Sequence, residues 1–137
     1  LEIEVGGAEA NVLAALAALG HPARLVSALP DSPLGAIGAS ALAGRGIDIG
    51  AVRRLRGRMG LYFLEPGHGR RAARIVYDRQ GSAFAQTGAD DFDLPSALAG
   101  ARVLHLSGIT PALSPQSAAL ALAAARLANA KGIAVCF

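Results

Sequence analysis

The sequence predicts an α/β fold: a largely parallel sheet flanked by helices, with a small β-hairpin beside it. Three observations carry this. From residue 1 to residue 52, short apolar runs alternate with Ala/Leu-rich helical stretches, as expected where parallel strands are joined by crossover helices. Residues 101–137 read as one strand–helix–strand unit. Residues 59–83 read as two strands on a tight loop, with Pro66-Gly67 and Gly69 as turn residues between aromatic and β-branched ones.

A chain of 137 residues is one domain, or part of a larger one. At 53% hydrophobic and 17% charged residues it can build a core, which excludes a disordered chain. The longest Ala/Leu run, residues 117–130, contains Arg126 and Asn129 and is too short to span a bilayer, so no membrane role is expected. The first residue is Leu rather than Met, which suggests an excised or incomplete chain. The single cysteine, Cys136, excludes an internal disulfide and fits a reducing, cytoplasmic setting. Its apolar neighbours predict a buried small hydrophobe. Net charge is +3, concentrated in Arg53, Arg54, Arg56 and Arg58, then in Arg70, Arg71 and Arg74. No aromatics or Gly-rich basic repeats interleave with them, so nucleic acid is not expected; a basic rim around an anionic small-molecule site accounts for the same charge.

Taken in order, residues 1–5 alternate apolar and acidic side chains and predict an edge strand. Gly6-Gly7 follows, then a helix from Ala8 that Gly20 ends. Paired glycines let a ligand approach the backbone, and the helix start offers free N–H groups to polar or anionic groups. The helix is apolar nearly all round after Asn11, which predicts burial against a sheet. Asn11 is the odd polar residue, suited to a local hydrogen bond with the preceding loop or to a ligand. Residues 24–28 predict a strand, Asp31 or Ser32 a helix cap with Pro33 in the first turn, and Gly44 to Gly46 the helix stop. In the hairpin, Tyr77 and Arg79 point one way and Asp78 the other, and Tyr62 opposite can share the face of Tyr77. Two phenols and a guanidinium on one face suit a polyhydroxylated ligand carrying a carboxylate. The same residues also fit a plain cross-strand aromatic pair beside a solvated charge. In the last unit, residues 103–107 are the first strand and residues 108–115 a loop. The helix runs from about Pro115 to Ala130 with Ser114 as cap, and residues 133–137 form the closing strand. Ligands of open α/β sheets lie beyond the carboxyl ends of strands, which puts Ser107, Gly108 and Thr110 near a site. His105, inside the apolar strand, reads as a core histidine. No His, Cys or carboxylate pair has metal-ligand spacing.

Gly6-Gly7-Ala8-Glu9-Ala10-Asn11, the helix after it, Pro30-Asp31 with Gly35, and Gly46-Ile47-Asp48 resemble the N-terminal half of ribokinase-like (PfkB-type) sugar kinases. Gly60-Leu61-Tyr62, Tyr77-Asp78-Arg79-Gln80-Gly81-Ser82-Ala83 and His105-Leu106-Ser107-Gly108-Ile109-Thr110 are most similar to the 2-keto-3-deoxygluconate kinases of that family. The resemblance covers essentially the whole chain. It implies that residues 1–137 are the N-terminal portion of a ribokinase-like domain, with residues 59–83 as a lid that often pairs with a second subunit. It further implies that Gly7, Tyr62, Tyr77 and Arg79 touch the sugar acid, that Gly6 permits close approach and that Asn11 supports the glycine loop. ATP and Mg2+ are implied for the parent protein, while the catalytic Asp and the ATP-binding half are expected downstream of Phe137, leaving this chain inactive alone. A fructokinase or other neutral-sugar kinase, and a non-catalytic sugar-acid-binding or dimerisation module, are the competing expectations. Gly88-Ala89-Asp90-Asp91 is superficially similar to the family's Gly-Ala-Gly-Asp loop, but Asp replaces the second Gly and no long helix follows.

Overall fold

The computed structural model describes residues 2–137; Leu1, the first residue of the expected edge strand, lies outside them. The elements are α1 (Ala8–Ala18), β1 (Ser27–Pro30), α2 (Pro33–Gly44), β2 (Val52–Leu55), β3 (Leu61–Glu65), β4 (Arg74–Asp78), two 3-10 turns (Phe84–Gln86 and Ala89–Asp91), α3 (Leu94–Ala97), β5 (Val103–His105), α4 (Ile109–Leu113), α5 (Pro115–Ala130) and β6 (Ala134–Cys136). The mixed α/β character is as expected. The largely parallel pairing is as expected too: β1 with β2 and β5 with β6 form parallel two-stranded ladders, and β3 with β4 forms the antiparallel hairpin. What joins the two parallel pairs is side-chain packing, since Val26 beside β1 and Leu104 of β5 both pack on the Leu94–Leu120–Ala124 core.

Residues 2–5 form no strand. The carbonyl of Val5 is taken instead by Arg45 Nη1, at 2.7 Å, from the end of α2. Helix α1 is less buried than its composition predicts: Ala10 is buried, whereas Val12, Leu16 and Leu19 are exposed. Only one of its stripes meets the core, where Ala10, Leu13 and Ala14 pack with Leu42 and Ile47. Helix α2 begins as foreseen, with Ser32 Oγ accepting from the N–H of Gly35 and Pro33 in the first turn. The strand expected at residues 24–28 starts three residues later, Arg24 instead making an isolated bridge with Asp48 and an ion pair to it at 2.7 Å.

Strand β2 went unforeseen because Arg53 and Arg54 interrupt its apolar pattern. Both are exposed, which suits an edge strand that must not recruit another. The expected loop at residues 108–115 contains α4, begun by the N–H of Ile109 donating to Ser107 Oγ. Helix α5 has the foreseen cap: Ser114 Oγ accepts from the N–H of Ser117 at 3.0 Å. The closing strand is shorter than expected, and Cys136 is exposed rather than buried. Only β5 pairs with β6 among the described residues, so nothing described covers the thiol. No helix among the described residues is long and apolar enough to cross a membrane.

Candidate functional site

The site grows from the break between residues 2–5 and α1. Gly7 takes φ +154°, a conformation that side-chain-bearing residues rarely adopt, and it stands at the N-cap of α1 with no side-chain cap. No side chain at the N-cap takes the first N–H groups of α1, although the Glu9 carboxylate accepts from its own backbone N–H. Gly6 is held close under the hairpin: a Cβ built there would lie 2.9 Å from the hydroxyl oxygen of Tyr62. The hairpin and the glycine loop thus touch across a space that only a missing side chain leaves open.

In the hairpin, Tyr62 pairs with Tyr77 across the ladder, so both rings rise from one face. Their centroids are 6.4 Å apart and tilted by 50°. The guanidinium carbon of Arg79 sits 4.2 Å from the centroid of the Tyr77 ring, a cation–π stack that orients the fork. Asp78 faces the other way, where Arg58 grips its carboxylate with both Nη1 and Nη2 and also donates to the carbonyls of Asp78 and Gln80. The hydrogen bonds from Arg58 hold the Asp78 carboxyl below its ordinary range. The back of β4 is thereby pinned while its front carries Tyr77 and Arg79.

The third wall is the turn after β5. Glu9, in the first turn of α1, reaches across to it: its Oε1 accepts from Ser107 Oγ at 2.7 Å, from Thr110 Oγ1 at 2.9 Å and from the N–H of Ser107 at 3.2 Å. Burial pushes the Glu9 carboxyl up, and the donors from Ser107 and Thr110 outweigh it, leaving the group below its ordinary value. Sequence reasoning passed over Glu9. Its signal was available, an acidic residue two positions after a Gly-Gly pair, but its partners lie about a hundred residues away.

These walls open onto a cleft of about 1290 Å³ that also runs along β1 and β5, and its lining includes Gly6, Gly7, Glu9, Tyr62, Arg79 and Thr110. Tyr77 stands behind Arg79, and Ser107 is joined to the cleft through Glu9. Gly108 is exposed and off its wall. Asn11 meets the glycine loop through its backbone, its N–H donating to the carbonyl of Gly7 at 2.8 Å, while its side chain is exposed. His105 is half-buried in β5 and lines the same cleft.

The described residues hold no ready-made cluster of metal ligands: no three His, Cys, Asp or Glu side chains among them gather as such ligands would. At Gly88 the backbone N–H donates to Asp91 Oδ2 at 2.8 Å.

The family model described as pfkB family carbohydrate kinase matches residues 1–136. The solved 2-dehydro-3-deoxygluconokinase of Thermotoga maritima superposes with a TM-score of 0.92 at 43% identity, over 95% of this chain and 40% of that one. The 2-dehydro-3-deoxygalactonokinase of Haloferax volcanii is 36% identical over 114 residues, covering 83% of this chain and 36% of its own length. The 2-dehydro-3-deoxygluconokinase of Thermoproteus tenax is 37% identical over 117 residues, covering 82% and 35%. The chain therefore spans between a third and two fifths of the length of these relatives.

Proposed function

This chain belongs to the pfkB family of carbohydrate kinases, and we propose from that premise that it is the acceptor-sugar half of an ATP-dependent kinase acting on 2-keto-3-deoxygluconate (2-dehydro-3-deoxygluconate). The observation that carries the substrate is Arg79, stacked on Tyr77 in register with Tyr62 and opening onto the cleft at the glycine loop. A fixed guanidinium takes a carboxylate through two parallel hydrogen bonds. The phenols of Tyr62 and Tyr77 exchange hydrogen bonds with hydroxyls. Gly6 and Gly7 leave room for the sugar backbone, and the uncapped start of α1 offers N–H groups to its oxygens. Thr110 closes the far wall. Together these residues bind and orient the acceptor and exclude water from it; the phosphoryl donor and the base that activates the hydroxyl belong to other parts of the parent protein. Assignment to the acceptor side is supported by the guanidinium, phenol and glycine loop that share one cleft.

The hairpin also supports pairing with a second copy. Phe63 and Val76 face each other on the side away from the tyrosines, and both are about half exposed. A keto acid gives Arg79 a charge to pair with, which a neutral sugar does not. In the full-length parent, Arg79→Ala is expected to lower kcat/KM for 2-keto-3-deoxygluconate about ten- to a hundredfold, the range for losing hydrogen bonds to a charged group. Fructose, if used at all, should be affected little. Equal losses on both sugars would overturn the keto-acid reading.

A further inference from the structure

The glycine loop and the turn after β5 come from opposite ends of the chain, yet one carboxylate oxygen ties them. Glu9 Oε1 takes all three donors, two from Ser107 and one from Thr110. Thr110 is buried, Ser107 and Glu9 are half-buried, and Glu9 and Thr110 both line the cleft. From this geometry we propose that Glu9 is a positioning residue for the acceptor sugar, a charged clamp that fixes the distance between the Gly6-Gly7 wall and the Ser107–Thr110 wall.

The chemistry favours a carboxylate over any neutral side chain. An ionised oxygen accepts several donors at once, and charge-assisted hydrogen bonds are about twice as strong as neutral ones. Placed in the first turn of α1, the negative charge is also stabilised by the helix start. With Gln in its place the carbonyl oxygen can still meet the same three donors, but without the charge each bond is weaker. The two walls would then be held by a looser clamp.

The inference rests on the acceptor-site reading above, and the experiment separates the two. Full-length parent protein carrying Glu9→Gln is assayed with ATP against both 2-keto-3-deoxygluconate and fructose, and its melting temperature is recorded. The expected result is a KM for the accepted sugar raised about tenfold, with KM for ATP within about twofold of wild type. A melting temperature that drops while both KM values stay put would overturn the inference, since Glu9 would then serve the fold alone. If wild type phosphorylates only fructose, the keto-acid reading fails and the Glu9 inference is read from the fructose KM. Should Glu9→Gln not fold, Ser107→Ala with Thr110→Val removes the hydroxyl donors and keeps the carboxylate. That variant must raise the same KM, and an unchanged sugar KM would overturn the inference.

Discussion

The contact between Gly6 and Tyr62 can be broken by one methyl group. In Gly6→Ala the new Cβ would stand 2.9 Å from the Tyr62 hydroxyl oxygen and 3.4 Å from Cε1. Since 3.4 Å is an ordinary close approach, the phenol must withdraw by about 0.5 Å, and it can, because the clash falls on the far end of a side chain. The main cost is then functional: a phenol displaced from its hydrogen-bonding position forfeits about 1 kcal/mol, or roughly five- to tenfold in KM for the sugar. Tyr62→Phe removes the oxygen that clashes and forfeits the same bond. The double variant Gly6→Ala/Tyr62→Phe should therefore be little worse than Tyr62→Phe alone, a coupling of about 1 kcal/mol measured from sugar KM values in the full-length kinase. Fully additive losses would refute the reasoning, because they would mean that Gly6 and the phenol act on the substrate independently.

Other perturbations have equally definite outcomes. Gly35→Ala should destabilise the protein by about 1–3 kcal/mol in urea unfolding, because a Cβ there would fall 1.9 Å from the backbone carbonyl oxygen of Pro30, which cannot swing aside. Ser114→Ala should cost about 1 kcal/mol by uncapping α5 and freeing the Ala85 carbonyl that the Ser114 hydroxyl engages. Because folding lowers the Glu9 pKa from its ordinary 4.5, its clamp contributes stability above that value and loses it as pH falls through the lower folded value. Glu9→Gln should accordingly flatten the acid side of the stability–pH curve below about pH 5, and an unchanged acid limb would show that the carboxylate is not held as described.

Helix caps and turns were legible because their chemistry is local. Ser114 and the turn glycine Gly69 act on backbone groups within a few residues and were placed from the sequence, which narrowed the α2 cap to Asp31 or Ser32. The face shared by Tyr62 and Tyr77 was legible for the same reason, since strand alternation and a short loop leave little freedom. What escaped were features decided at a distance. Strand β2 is specified by its pairing with β1 and carries Arg53 and Arg54 against its apolar pattern. Glu9 acquires its role only when the turn after β5 arrives beside it. Conversely, the all-apolar surface of α1 overstated its burial, because composition records what a helix is able to bury and not how much of the chain reaches it. Cys136 was misjudged on the same ground.

The separation of β1–β2 from β5–β6 has a consequence for how this chain behaves in water. A compact monomer of 13.8 kDa exposes about 6600 Å², whereas this one exposes 8630 Å². The surplus, about 2000 Å², equals what a full-sized protein–protein interface removes from solvent. Much of it is greasy, with Leu19, Val103 and Phe137 all more than half bare. Studied as an isolated polypeptide, these residues should self-associate or precipitate until some other surface covers them.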